Sequence, residues 1–280
     1  MSGPNYLSVT AAIAHSPTAP FSAEAVELRE PGPSELLVKV VATGICHTDV
    51  MTKTKGLCEF PIVLGHEGVG VVEQVGSAVT EFSLGDHVIM TYDFCGDCAH
   101  CDAGKPSYCV DHGSLNFSGT RPDGERTHRA PGAETPDIHG SFFQQSSFAT
   151  YALAHASNTV KVDPDLPLAV LAPLACGVQT GAGTVMNTLD VEAGSSLGRL
   201  RLRVCWAVGG HCRQGSRRRT NRGRRPQRRT PRDGTRTGSD PCVQSRRLHR
   251  RRCAHECQAT PTDSYHGVTT ARRVRRARLG

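Results

Sequence analysis

The 280-residue chain carries 33 Lys+Arg and 26 Asp+Glu, a net charge of +7, but the charges are unevenly distributed. Residues 1–197 hold 9 basic and 22 acidic side chains, whereas residues 198–280 hold 24 arginines, no lysine and 4 acidic side chains. The net charge therefore describes neither part and gives no argument for a nucleic-acid partner. No run of about 18 apolar residues predicts a membrane span, and residues 1–10 lack the pattern of a signal peptide.

The first 170 residues are predicted to be mainly β. Short apolar segments bounded by Gly and Pro predict strands at Ser8–Ala14, Glu35–Val41, Gly68–Val75, His87–Met90 and Ser147–Leu153. Residues 113–140 are polar and rich in Gly and Pro, which predicts one long loop. Helical spacing of apolar residues first occurs between Pro167 and Leu189.

Seven cysteines precede residue 198, in close spacings with histidine and acidic residues nearby. In a chain that we expect to be cytoplasmic, this pattern indicates metal binding rather than disulfides. The first group has spacings of two, two and seven residues and consists of Cys95, Cys98, Cys101 and Cys109. Four thiolates can close a tetrahedral shell around Zn²⁺, so we predict a structural zinc site; four free thiols are the alternative.

A second set of zinc-ligand residue types is dispersed along the chain. Cys46, His66-Glu67 and Cys176 each lie in a turn that contains glycine. Two thiolates and one imidazole would leave the fourth zinc position open, which is typical of a catalytic site. Taken alone, each residue is weak evidence, because a single Cys or His is more often an ordinary core or surface residue.

The motifs together resemble the zinc-containing alcohol dehydrogenases of the medium-chain dehydrogenase family. Gly65-His66-Glu67 is followed by glycine and valine at the intervals of the family signature, at Gly70, Gly76 and Val79. Cys46-His47-Thr48-Asp49, the four-cysteine group and Cys176–Gly181 follow in the family's order, over residues 5–197. The segments Gln145–Tyr151 and Cys176–Gly183 most resemble the aryl-alcohol (benzyl-alcohol) dehydrogenases.

This resemblance implies a fold and a set of roles. It implies a GroES-like catalytic domain over residues 1–170 and the start of a Rossmann cofactor-binding domain over 171–197. Residues 198–280 depart from the family, and their few apolar residues and many arginines predict disorder. It implies a catalytic zinc held by Cys46, His66 and Cys176, with Glu67 beside the metal. Asp49 would accept a hydrogen bond from the His66 ring; simple capping of a turn remains the alternative for Asp49.

The same resemblance implies the reaction, which is oxidation of a primary, aryl alcohol to its aldehyde with hydride transfer to NAD. Thr48 would take the alcohol proton, His47 would lie near the cofactor pyrophosphate and Thr180 near the nicotinamide. Many members end the proton relay on a histidine three residues after the Thr48 position. Here that residue is Met51, which cannot carry a proton, so the relay must end elsewhere or pass directly to water.

The Rossmann glycine fingerprint is absent after Leu197. If the codons are read one base later from about codon 198, they permit Ala-Val-Phe-Gly-Ser-Gly-Ser-Val-Gly-Leu, and the single Trp206 codon is forced to glycine. That translated sequence has the pattern of a buried strand followed by a phosphate-binding turn. The shifted codons of Arg225 and Pro226 permit an aspartate, which favours NAD over NADP. We therefore predict a frameshift and an inactive or strongly impaired 280-residue form.

Two other interpretations stay open at this point. The arginine-rich segment could bind nucleic acid or acidic partners, but it has few aromatic residues and no recognisable nucleic-acid motif. The chain could also be a zinc-stabilised β fragment without activity. His249, Cys253 and Cys257 are more simply a chance grouping than a third metal site, and Cys58 a thiol without a role. A homo-oligomer is expected for the intact family, but not firmly for this chain.

Overall fold

The computed structural model describes residues 5–189, and β-strands dominate them. The nine strands are β1 (Tyr6–Ala14), β2 (Ser22–Arg29), β3 (Glu35–Thr43), β4 (Ile62–Val63), β5 (Gly68–Val75), β6 (His87–Met90), β7 (His128–Arg129), β8 (Tyr151–His155) and β9 (Thr159–Val162). They form a four-stranded sheet in the order β4-β1-β2-β7 and a five-stranded sheet in the order β8-β3-β5-β6-β9. All of these pairings are antiparallel. The predicted mainly β domain is confirmed.

The hydrophobic core consists of clusters in which inward-facing side chains of neighbouring strands pack together. Along β1, Val9, Ala11 and Ile13 alternate inward and pack in one cluster with Val26 and Leu28 of β2. A second cluster joins alternate residues of β3 to apolar residues of β5, β6 and β8. Alternation places every second side chain on the buried face of a strand, and each large apolar side chain buried there stabilises the fold by about 1.5–3 kcal/mol.

Four of the five predicted strands coincide with observed ones, and the fifth is displaced. The segment predicted over Ser147–Leu153 forms β8 at Tyr151–His155 instead. Strand β2 was not predicted, because its sequence SAEAVELR is rich in Ala and Glu, which are depleted in strands. Its eight-residue pairing with β1 makes it a strand, which is a tertiary effect.

Short helices carry the connections between the sheets. They are α1 (His47–Thr54), α2 (Ala99–Asp102), α3 (His112–Phe117), α4 (Leu168–Leu171) and α5 (Gly177–Gly183). The prediction of one structureless loop over residues 113–140 was wrong in part, because α3 and β7 lie within or across that range. Residues 168–188 are helical as predicted, but the helix is broken at Cys176, whose φ of −140° and ψ of −75° are not helical.

A buried charge network fastens the 113–145 segment to the sheets. Glu35, at the start of β3, is 6% exposed; its carboxylate accepts from Arg29 Nη1 at 2.6 Å and pairs with Arg121 Nε at 2.7 Å. The other guanidinium nitrogens of Arg121 donate to Gln144 and to the Leu153 carbonyl. Burial would raise the pKa of Glu35, but the two arginines outweigh it and hold that pKa below its ordinary value.

Among residues 5–189, no single helix has the length and apolar character to cross a membrane; the bent pair Leu168–Ala175 and Gly177–Thr188 meets those two criteria only when taken together. Residues 190–280 lie outside the described part of the chain. The predictions of a frameshift, a lost Rossmann domain, disorder and an arginine-rich binding segment all fall there.

Candidate functional site

The four cysteines at 95–109 converge as their spacing predicts. Their sulfurs lie 3.9 Å apart between Cys95 and Cys101, 3.6 Å between Cys98 and Cys101, and 3.4 Å between Cys95 and Cys109. A zinc ion with bonds of about 2.3 Å to tetrahedral thiolates separates the sulfurs by about 3.8 Å, so the group fits this ion. No cysteine among residues 5–189 forms a disulfide, and these separations are far longer than a disulfide bond of about 2.05 Å.

The local backbone of this lobe favours a thiolate at Cys98, whereas the Asp97 side chain raises the pKa of Cys95 and desolvation raises that of Cys101. Helix α2 begins after Cys98, and the Cys95 amide donates to the Cys109 sulfur at 3.3 Å. Gly96 has a φ of +83°, which a residue with a side chain rarely adopts, so glycine makes the turn between the first two cysteines. The backbone N–H groups of Val110 and Cys101 lower the pKa of Cys98 to about 6, which favours the form that binds a metal.

A second cluster brings together the dispersed residues. One ligand atom from each of Cys46, His66, Glu67 and Cys176 lies within 4.8 Å of the others. Cys46 is the residue before α1, His66 and Glu67 immediately precede β5, and Cys176 occupies the break before α5. The Cys46 and Cys176 sulfurs are 3.8 Å apart, which again equals the edge of a tetrahedral zinc–thiolate site.

The His66 ring is fixed by one carboxylate. Asp49 is 1% exposed, and its Oδ1 lies 2.9 Å from His66 Nδ1, while it also accepts from the amides of Cys46 at 2.9 Å and Gly65 at 3.1 Å. Asp49 therefore both caps α1 and contacts the histidine. The other ring nitrogen, Nε2, is buried without a hydrogen-bond partner in the described part of the chain, which suits a metal ligand.

The electrostatics of the cluster favour a cation. The contact with Cys176, together with His66, outweighs the effect of burial and lowers the pKa of Cys46 to about 3. Burial raises the pKa of Glu67, and the Cys46 thiolate raises it further. A carboxylate beside a thiolate in a buried site needs positive charge to stay ionised. The donor set of two sulfurs, one imidazole and one carboxylate therefore fits Zn²⁺.

Glu67 is held away from solvent by two glycine turns. Its Oε1 accepts from the Gly177 amide at 3.3 Å, and the side chain is buried. The other oxygen lies where a Cβ at Gly44 would be, so any side chain at position 44 would overlap it. This close approach explains why glycine precedes the Cys46 turn, which sequence reasoning noted only as a boundary.

The remaining predicted residues lie around the cluster. The Thr48 hydroxyl is 3.7 Å from the Cys46 sulfur, within the first turn of α1. His47 and Thr180 are exposed, at the beginning of α1 and within α5. Met51, the third residue after Thr48, is 37% exposed.

An aromatic wall beside His66 was missed by the sequence reasoning. The Phe143 ring lies 4.6 Å from the His66 ring, and the Phe142 ring meets it edge-on at 5.7 Å. Phe117 of α3 packs on both phenylalanines at 5.2 and 5.9 Å. Phe117 and Cys58, which pack against this wall, also line an open cleft of 470 Å³. The only signal in the sequence was the Phe142-Phe143 doublet, which ordinary core packing explains equally well.

Comparison with known proteins identifies the family of this domain. Residues 32–164 match the alcohol dehydrogenase GroES-like domain. Geraniol dehydrogenase of Castellaniella defragrans is 42% identical over 194 residues, 69% of this chain and 51% of that protein. A probable alcohol dehydrogenase of Pseudomonas is 50% identical over 157 residues, 54% of this chain and 48% of that protein. The chain thus spans about half the length of the curated relatives that it matches.

Solved structures share the fold. An alcohol dehydrogenase zinc-binding domain protein from Burkholderia ambifaria is 45% identical and superposes with a TM-score of 0.69, over 75% of this chain and 57% of that one. Benzyl alcohol dehydrogenase from Acinetobacter calcoaceticus is 40% identical with a TM-score of 0.67, over 75% and 56%. Through this part of its length, the chain belongs to the zinc-type medium-chain alcohol dehydrogenase family.

Proposed function

We propose that this chain carries the zinc-binding catalytic domain of an enzyme that oxidises a primary, aryl alcohol to its aldehyde, with hydride transfer to NAD, and catalyses the reverse reaction. The observation that carries the proposal is the convergence of Cys46, His66, Glu67 and Cys176 within 4.8 Å, which supports a catalytic zinc. Cys95, Cys98, Cys101 and Cys109 support a second, structural zinc. Only the dispersed cluster includes a carboxylate, which can yield its position to water or substrate.

Zinc, when bound there, supplies Lewis acidity that lowers the pKa of an alcohol hydroxyl by several units. The residues of this chain position the reacting groups. Asp49 keeps the His66 ring in one tautomer with Nε2 toward the sulfurs. The Thr48 hydroxyl, next to the Cys46 sulfur, accepts the alcohol proton. Because Met51 cannot pass that proton on, it leaves Thr48 directly to water.

The substrate class is supported mainly by two relatives. Phe142 and Phe143 are buried and exclude water on one side of His66, and the half-buried Phe117 extends this apolar surface to the cleft that it lines. The names of two relatives, geraniol and benzyl alcohol dehydrogenase, support a primary alcohol next to an unsaturated carbon. We propose that the substrate is an aryl alcohol whose hydroxyl lies at the cysteine–histidine cluster.

Our proposal divides the chain into three parts. Residues 1–170 are the catalytic domain, residues 171–197 begin the NAD domain, and residues 198–280 are out of frame. His47 would contact the cofactor pyrophosphate and Thr180 the nicotinamide. The 280-residue form would then bind zinc but would not turn over NAD.

A comparison of two proteins tests the function. The 280-residue chain and a form with the frame restored after codon 197 are purified, and their zinc content, NAD binding and benzyl alcohol oxidation are measured. We expect two zinc ions per chain in both, and NAD binding with turnover only in the restored form. Turnover by the 280-residue chain would overturn the domain assignment. A restored form that binds two zinc ions but oxidises no alcohol would overturn the proposed reaction.

A further inference from the structure

One buried side-chain amide, that of Gln145, holds the turn that carries His66 and Glu67 through hydrogen bonds. Gln145 is 0% exposed. Its Oε1 accepts from the Gly68 amide at 3.0 Å, and its Nε2 donates to the His66 carbonyl at 3.1 Å. Gln145 therefore binds the peptide groups on both sides of Glu67, and the orientation of those groups sets the direction in which both side chains leave the backbone.

The same amide reaches the turn that carries Cys176. Gln145 Nε2 also donates to the Thr91 carbonyl at 3.1 Å. The Thr91 hydroxyl donates to the Ala175 carbonyl at 2.8 Å and accepts from Gln179 Nε2 at 2.7 Å, while Gln179 Nε2 also bonds the Ala175 carbonyl. Ala175 directly precedes Cys176. The side chains of Gln145 and Thr91 therefore link the His66 turn to the Cys176 turn, although His66 and Cys176 are 110 positions apart in sequence.

The backbone around Gln145 adopts a conformation that needs external support. Phe143 and Gln144 have φ of 51° and Ser146 has φ of 49°, although none is glycine. Such conformations cost about 1–3 kcal/mol each and persist only where the surroundings enforce them. Here Asn158 Nδ2 donates to the Phe143 carbonyl at 3.1 Å, and the Ser146 hydroxyl donates to the Val63 carbonyl at 2.6 Å. The segment is thus held in a shape that delivers Gln145 to the His66 turn.

We propose that Gln145 and Thr91 are positioning residues that fix the spacing between the His66–Glu67 turn and the Cys176 turn, and thereby the geometry of the metal at the catalytic cluster. This inference rests on the proposed zinc function. Both residues bond the backbone that carries the ligands, at Gly68, His66 and Ala175, and act through it. Residues that orient metal ligands from behind commonly change metal affinity by about 10- to 100-fold when removed.

The test uses the full 280-residue chain with its zinc replaced by Co²⁺, whose visible absorption reports thiolate ligation and coordination geometry. The variants are Gln145→Ala and Thr91→Val, with Thr91→Ser as the conservative rescue because it keeps the hydroxyl. Gln144→Ala is the matched control. Gln144 is equally buried and makes three hydrogen bonds, but to Leu115, Thr120 and Arg121 rather than to the ligand turns.

We expect Gln145→Ala and Thr91→Val to shift the Co²⁺ bands of the catalytic cluster and to release that metal to a chelator roughly 10- to 100-fold faster. The four-cysteine lobe should keep its bands and its release rate in every variant. Thr91→Ser and Gln144→Ala should resemble the unmodified chain in the catalytic cluster, although Gln144→Ala loses stability.

The outcomes separate this inference from the proposed function. If the unmodified chain takes up Co²⁺ only in the four-cysteine lobe, the proposed catalytic site fails. If both sites fill but Gln145→Ala and Thr91→Val match Gln144→Ala in spectrum and release rate, the positioning role is overturned. If circular dichroism shows that Gln145→Ala is unfolded, the variants of the partly buried Thr91 test the inference. Equal rates of metal release from Thr91→Val and Thr91→Ser then overturn it.

Discussion

Replacing Asp49 by asparagine tests how the second cluster is held. Three N–H groups converge on this carboxylate, from Cys46, Gly65 and the His66 ring, at 2.9–3.1 Å. Asparagine has one oxygen and one NH₂ group in place of two carboxylate oxygens. If its oxygen accepts from Gly65 and the His66 ring, its NH₂ group faces the Cys46 amide, which is also a donor. We therefore expect one buried donor without an acceptor and a loss of about 1–3 kcal/mol of folding free energy.

The same change should weaken one metal site and spare the other. An amide oxygen carries no charge and is a weaker acceptor than a carboxylate, so the His66 ring loses the charge that increases its basicity, and zinc affinity at this cluster should fall by about 10- to 100-fold. Zinc release from the full chain to a coloured chelator should show two phases, one for each cluster. We expect only the phase of the catalytic cluster to accelerate.

Asp86→Asn is the matched control for this prediction. Asp86 also accepts from a backbone amide, that of Ser83 at 2.7 Å, and it pairs with Lys161 at 2.6 Å, but it has no contact with the cluster. Its replacement should leave both release phases unchanged. Unchanged release from Asp49→Asn, or equal acceleration of both phases, would refute the argument that Asp49 acts through His66.

Three further changes extend the test to the rest of the domain. Glu35→Gln leaves the buried Arg121 without its carboxylate and Arg29 with Glu125 alone, and should cost about 3–5 kcal/mol in urea unfolding at pH 7. Because the folded-state pKa of Glu35 is lowered, the unmodified chain should lose this stabilisation as the pH falls below the unfolded value of about 4.3, and a flat profile there would contradict it. Gly44→Ala should displace the Glu67 carboxylate and alter the Co²⁺ spectrum of the catalytic cluster, whereas Gly113→Ala, where a Cβ meets nothing within 4 Å, should not. Cys101→Ser should reduce the metal content from two zinc ions to one and abolish only the release phase of the lobe, and retention of both ions would count against the four-cysteine site.

The sequence alone determined the mainly β class, because apolar alternation in β1, β3, β5 and β6 is a local property that requires no knowledge of the fold. It also determined the four-cysteine lobe, since its ligands lie within 15 residues and one short segment can close around the metal. The dispersed ligands could be proposed only through resemblance to a family, because Cys46, His66 and Cys176 come from turns far apart in the chain.

The tertiary structure decided what local pattern could not express. Strand β2 exists because it pairs with β1, against the low strand propensity of its alanines and glutamates. Asp49 caps a helix and contacts His66 at once, which sequence reasoning posed as alternatives. The wall of Phe117, Phe142 and Phe143, and the bonds of Gln145, depend on side chains that approach across 26 to 79 positions of sequence. Such contacts arise from packing, and packing is a property of the folded chain rather than of any segment.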